Sequence, residues 1–175
     1  MYSMDPLFDW KYYLAKYEDL RNCGIQTEQQ ALVHWNNHGK NESRTSYGVK
    51  LFTMVKDEAD VVREWILYHG NLFGFHQLYI VDNGSTDGTW EIIQSFVTKG
   101  IHVFQEADYR KKGLIMTSLI REHSKRGIAY PLDIDEFIVY YDKSSNTISA
   151  DKHTIISYFY RLPLSAVYKT NYIYN

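Results

Sequence analysis

The period of the apolar positions changes near residue 47. Before it, in "FDWKYYLAKYEDLRN", Phe8, Tyr12, Tyr13, Tyr17 and Leu20 fall on one stripe, which predicts a helix over residues 8 to 22. Asp9 is its candidate N-cap and Gly24 its stop. "TEQQALVHWNNHGK" predicts a second helix, because Thr27 and Gln30 stand at capping-box spacing and Gly39 marks an end. The polar "NESRTS" places a boundary at residues 40 to 47, separating a helical hairpin (1–46) from a larger domain (47–175).

Beyond the boundary, compact apolar runs alternate with helical patterns. "VKLFTMV" reads as a strand, and "DEADVVREWILYHGNL" as a helix that turns Val61, Val62, Trp65, Ile66, His69 and Leu72 inward. "HQLYIVDNG" is a second strand, and "DGTWEIIQSFVTKG" a helix with Ile92, Ile93, Phe96 and Val97 inward and Gly100 at its end. "IHVFQEA" is a third strand, "KKGLIMTSLIREHSKRG" a helix ending at Gly127, and "IAYPLDID" a fourth strand. "DKHTIISYFYRLP" predicts a last helix capped by Asp151, and "SAVYKTNYIYN" a last strand.

This alternation predicts an α/β fold with a mostly parallel sheet, helices on both faces and right-handed crossovers. Ligands of such sheets bind beyond the carboxyl ends of the strands. Lys56, Asp57 and Glu58 after the first strand, Asp82, Asn83, Gly84 and Ser85 after the second, and Asp133 and Asp135 after the fourth are therefore expected on one rim.

Composition narrows the function classes. At 175 residues with 45% hydrophobic and 23% charged side chains, the chain can bury a core and fits one domain with a small appendage. A formal net charge of -2 gives no basic face for nucleic acid. The lone Cys23 cannot form an internal disulfide and fits a reducing, cytoplasmic setting. No apolar run approaches the ~20 residues that cross a bilayer, and "MYSMDPLFDW" lacks the order of a signal peptide. His34 and His38, at i and i+4 beside Trp35, have the spacing of a metal pair, but without a third ligand in view packing or solvent explains them.

"PLDIDEF" carries the chemistry. In an extended segment Asp133 and Asp135 share one side while Ile134 turns toward the core. Paired carboxylates suit a hard divalent cation such as Mn²⁺ or Mg²⁺, which cancels their repulsion. A solvated acidic turn, or Asp135 and Glu136 capping a neighbouring helix, is the alternative.

The order "LFTMVKDE…EWILYH…GFHQLYIVDNGSTDGT…PLDIDEF" resembles the donor-binding half of a glycosyltransferase of the GT-A fold, in the family-2-like group with a D-x-D-E-F segment, over residues 49 to about 142. "FDWKYYLAKYEDL…QALVHWNNHGKNESR" resembles a short helical repeat found beside glycosyltransferase domains in giant viruses and bacteria; a viral chain of this kind would work in the host cytoplasm. The resemblance implies that Lys56, Asp57 and Glu58 hold base and ribose. It implies that Asp82 and Asn83 contact the base, with Ser85 and Asp87 holding the turn; many relatives have two aspartates where this chain has Asp82-Asn83. It gives Asp135 direct metal coordination, and Asp133 the metal or the ribose.

The implied reaction moves a sugar from a nucleotide-diphosphate sugar to a glycan or protein acceptor with inversion, the cation stabilising the departing diphosphate. Arg110, Lys111 and Lys112 could add positive charge there. For a general base Asp142, Asp151, His153 and Glu136 are candidates, none standing in a family motif. The acceptor half looks missing or reduced, so a truncated nucleotide-sugar-binding or interaction module without turnover is the alternative. A haloacid dehalogenase-type phosphatase would carry D-x-D after its first strand, and a Rossmann dehydrogenase would need glycines where "VKDEAD" has none.

Overall fold

A computed structural model describes residues 8–42 and 44–162. Four parallel strands, β1 (Val49–Val55), β2 (Leu78–Asp82), β3 (His102–Gln105) and β4 (Ile128–Pro131), form a sheet in the order β3-β2-β1-β4. The central strand β1 is buried at every position, as a strand covered on both faces requires. Its period-2 alternation sends Val49, Leu51 and Val55 to one face and Phe52 and Met54 to the other.

The crossovers supply those faces. After β1 comes α4 (Val62–Phe73), after β2 α5 (Thr89–Gln94), and after β3 α6 (Lys112–His123). Trp65 and Ile66 of α4, Ile93 of α5, and Ile155 and Phe159 of α7 (Lys152–Phe159) share one core. On the opposite face Ile115, Met116, Leu119 and Ile120 of α6 cover Phe52, Met54, Tyr79 and Val81. Each fully buried aliphatic or aromatic side chain contributes about 2 kcal/mol, so both layers fix the strands firmly.

The N-terminal residues form α1 (Trp10–Lys16), α2 (Glu18–Asn22) and α3 (Glu28–His34). Asp9 caps α1, and Thr27 and Gln30 make the capping box of α3. The single helix expected over residues 8 to 22 is interrupted at Tyr17, which leaves helical backbone geometry while its hydroxyl accepts the Thr45 N–H at 2.7 Å. The second helix runs into a π-helical turn, Trp35–Gly39. A side chain at Gly39 would strike the Tyr13 hydroxyl, so glycine is required there for close approach. His34 Nδ1 is hydrogen-bonded to the Tyr13 hydroxyl at 3.0 Å, the packing role expected of it.

This segment has its own small core, Phe8, Tyr13, Leu14, Leu20, Ala31, Leu32 and Trp35, and docks where the strands begin. Lys50 Nζ lies 3.2 Å from Asp9 Oδ2 and donates to the His123 carbonyl at 2.8 Å. Arg126 donates to the Phe8 carbonyl and to Glu28 Oε1, both at 2.8 Å.

Other expectations need correction. Val97 is 41% exposed rather than inward, because α5 stops at Gln94 and the chain turns through a 3-10 segment, Val97–Lys99. The fourth strand ends at Pro131, so the acidic motif lies in the following turn. A hairpin of β5 (Tyr140–Asp142) and β6 (Thr147–Ser149) was not anticipated. The strand expected in residues 165–175 lies outside the described residues.

Candidate functional site

The carboxyl ends of β1, β2 and β4 lie side by side, with Val55 opposite Asp82 and Phe52 opposite Pro131. The loop after β1 begins with exposed Lys56 and then Asp57, which adopts φ 53, a left-handed conformation that costs a non-glycine residue energy unless neighbours hold it. Ser85 Oγ accepts the Asp57 N–H at 3.0 Å, and Asp57 Oδ1 accepts the Thr86 N–H at 2.7 Å. Thr89 Oγ1 accepts from Glu58 N at 2.8 Å, and Asp87 Oδ2 from Ala59 N at 3.0 Å. These bonds fasten the first loop to the second.

The second loop is built by the residues expected to touch a base. Asp82 is 1% exposed and accepts from Gly84 N at 3.1 Å and, more weakly, from Ser85 N. Asn83, 2% exposed, donates its side-chain amide to the Glu106 carbonyl, and its backbone N–H bonds Val55 O at 2.8 Å. Both side chains thus shape the loop, together with Ser85 and Asp87.

The third element is the acidic turn. Ile134 is buried, as expected, and Asp133 and Asp135 are exposed, but the segment is a turn and not the extended strand on which a shared face was expected. Glu136 closes it: Oε2 accepts the Asp133 N–H at 3.1 Å, and the Glu136 N–H bonds Asp133 O at 3.2 Å. Lys112, at the start of α6, places Nζ 3.3 Å from Asp133 Oδ1. Arg110 and Lys111 pair with Asp108 at 2.9 Å and Glu106 at 3.5 Å instead.

Charge at the rim is unbalanced toward negative. The Glu58 carboxyl is pushed above its ordinary range by burial first, then by Asp60, Asp135, Asp87 and Asp57. The part of that rise due to the acidic neighbours is a negative field, which a cation would relieve. The donors are hard carboxylate oxygens, which fit Mg²⁺ or Mn²⁺ and not a soft metal. Among the described residues no group of three or more His, Cys, Asp or Glu side chains forms a complete metal cage, so the remaining ligands of such an ion would be phosphate and water.

The candidate bases have local duties. Asp142 accepts from Ser144 N and Oγ at 2.8 and 2.7 Å, and Asp151 caps α7 by accepting from Thr154 N at 2.8 Å. These bonds hold both carboxyls below the ordinary range, the wrong direction for a proton acceptor. His153 lines a groove of about 310 Å³ with Tyr140, Ser157 and Tyr158.

What fixes the turn from beneath was not foreseen. Trp65 Nε1–H donates to the Asp133 carbonyl at 3.2 Å, the Tyr68 hydroxyl to the Ile138 carbonyl at 2.7 Å, and the Ile138 N–H points at His69 Nε2 at 3.4 Å. The periodicity of α4 marks Trp65 and His69 as inward-facing, which is the available signal; their polar partners lie some seventy residues downstream.

No family model matches the chain. In an alignment 117 residues long, which covers 63% of the chain, it is 26% identical to a glycosyltransferase family 92 protein of Oryza sativa subsp. japonica, and it spans 19% of that protein. No helix among the described residues is long and apolar enough to cross a membrane.

Proposed function

We propose that this chain is a metal-dependent glycosyltransferase domain of the GT-A type, which binds a nucleotide-diphosphate sugar at the rim of β1, β2 and β4 and transfers the sugar with inversion. The observation that carries the reading is the acidic turn: Asp133 and Asp135 point outward beside Lys112, at the strand ends where α/β sheets bind ligands. Similarity to a glycosyltransferase supports glycosyl transfer as the general class.

In this reading Lys56, Asp57 and Glu58 flank the nucleoside, held by the loop that Asp82, Asn83 and Ser85 build. Asp133 and Asp135 would hold Mn²⁺ or Mg²⁺, which when bound stabilises negative charge on the departing diphosphate. Lys112 leaves Asp133 to donate to a phosphate oxygen, a short move for a flexible lysine already at the site. The bond that breaks joins the anomeric carbon to the β-phosphate oxygen, which departs with the bonding pair; an acceptor hydroxyl forms the new bond from the opposite face of the sugar and gives its proton to a base at the site or to water.

Calorimetric titration with UDP, GDP, ADP and CDP, in Mn²⁺ and then in chelator, tests the donor site; release of the nucleoside diphosphate from the matching nucleotide sugar tests turnover. Metal-dependent binding of one nucleotide with turnover is expected. Binding without turnover under any acceptor would leave a nucleotide-sugar-binding module, and no binding at all would refute the proposal.

A further inference from the structure

We infer that Trp65, Tyr68 and His69 are positioning residues: together they clamp the backbone of the acidic turn to α4, so that the carboxylates of Asp133 and Asp135 are held in place before any ligand arrives. The inference about the turn stands on geometry alone, and its consequence for the donor rests on the function proposed above.

The turn has few means of holding itself. It follows the end of β4, belongs to no strand, and exposes Asp133, Asp135 and Phe137. Within it, Glu136 bonds back to Asp133, which fixes the local shape but not the position of the turn relative to the sheet. Position comes from burial of Leu132, Ile134 and Ile138 in the core and from polar bonds to α4. Trp65 is fully buried and reaches the Asp133 carbonyl through its indole N–H, at the entrance to the turn.

At the exit, Ile138 is gripped from two sides. Tyr68 donates its hydroxyl to the Ile138 carbonyl, and His69 offers Nε2 to the Ile138 N–H. His69 can accept there because its other nitrogen, Nδ1, lies 3.0 Å from the Trp65 carbonyl, which accepts a proton and cannot donate one. That contact fixes the tautomer: Nδ1 carries the hydrogen and Nε2 the lone pair. The Phe137 ring closes over the pair, stacked on His69 at 5.7 Å and edge-on to Tyr68 at 5.4 Å.

Because Trp65, Tyr68 and His69 lie within one helical turn, they form a single rigid edge. A site whose supporting residues are rigid loses less freedom on binding, so the clamp favours affinity without touching the ligand.

The experiment compares wild type, Tyr68→Phe, His69→Phe and His69→Gln by amide hydrogen exchange across residues 133–138, by urea unfolding, and by calorimetry with Mn²⁺ plus whichever of UDP, GDP, ADP and CDP the wild type binds. Tyr68→Phe removes one hydroxyl from a half-buried residue and leaves the core intact. His69→Gln keeps an acceptor for the Ile138 N–H; His69→Phe does not.

The clamp predicts exchange about threefold to tenfold faster at Ile138 and its neighbours in Tyr68→Phe and His69→Phe, the range expected for one lost hydrogen bond. Nucleotide affinity should weaken by a similar factor, and His69→Gln should recover most of both. Exchange that rises equally across the whole domain, or unchanged exchange in the turn, would overturn the inference. If the wild type binds no nucleotide, the proposed function fails by itself, and the exchange measurement still decides whether α4 holds the turn.

Discussion

Acidification should destabilise this chain through His69, by an amount that the structure sets. The residue is 0% exposed, and burial pushes its pKa down to about 4 from an ordinary 6.5, with the bond to the Trp65 carbonyl opposing the shift. In the unfolded chain the imidazole takes up a proton as pH falls through 6.5; in the folded chain it resists until about pH 4. Between those values the unfolded state binds more protons, so stability falls as pH falls, and the full displacement corresponds to about 3 kcal/mol. From pH 7.5 to pH 5.5 the loss is roughly 1 kcal/mol, or about 0.5 M in the urea midpoint for a slope near 2 kcal/mol/M. Burial also lowers the pKa of His34, His76 and His102, so the wild-type curve alone would mix several groups. Urea unfolding of wild type and His69→Gln at both pH values isolates the effect of His69: the wild-type advantage should shrink by about 1 kcal/mol on acidification. Parallel curves, with a gap that does not change with pH, would refute the claim that His69 is buried and neutral.

Asp135→Ala should abolish metal-dependent nucleotide binding while leaving the unfolding free energy within about 0.5 kcal/mol of wild type, since the side chain is exposed; unchanged affinity in calorimetry would remove Asp135 from the site. Asp9→Ala breaks the cap of α1 and leaves Lys50, 8% exposed, without its carboxylate, so a loss of about 3 kcal/mol in chemical unfolding is expected. Gly127→Ala should cost about 2 kcal/mol or more, because Gly127 sits at φ 93 and a Cβ would lie 2.6 Å from the Gly48 carbonyl oxygen; thermal unfolding measures it.

Where sequence and structure agree, a local pattern is sufficient to specify the element. "VKLFTMV" has no polar turn residue and only one charged position, so it reads as a strand buried on both faces, and every residue in it is buried. The capping box at Thr27 and the cap at Asp151 are chemistry between residues three apart, visible without any tertiary knowledge. Where they differ, a distant partner decides. Tyr17 lies on an unbroken helical stripe, yet its hydroxyl accepts from Thr45, and the helix breaks there. Lys50 looks like an outward polar position in β1, but Asp9 and the His123 carbonyl satisfy its ammonium, which permits burial. The β5–β6 hairpin leaves no mark in the sequence pattern because its strands are three residues each, too short for alternation to register, and its turn depends on Asn146 adopting φ 52.

The acidic turn combines both situations, which is why its residues were legible and its support was not. In the turn, burial of Ile134 leaves the flanking carboxylates of Asp133 and Asp135 in solvent. Pro131 is the last residue of β4, with its missing N–H on the open edge of the sheet; the Leu132 N–H still bonds Phe52 O, but beyond it the chain leaves the sheet and needs another anchor. That anchor is α4, whose Trp65 and His69 read in the sequence as ordinary members of an apolar stripe. An indole and an imidazole differ from Leu or Phe at such positions by carrying a polar atom, and a fully buried polar atom requires a partner. Their presence among apolar residues therefore signalled that α4 holds something polar across the core, while the identity of the partner depended on a fold that brings residues 65–69 beneath 133–138.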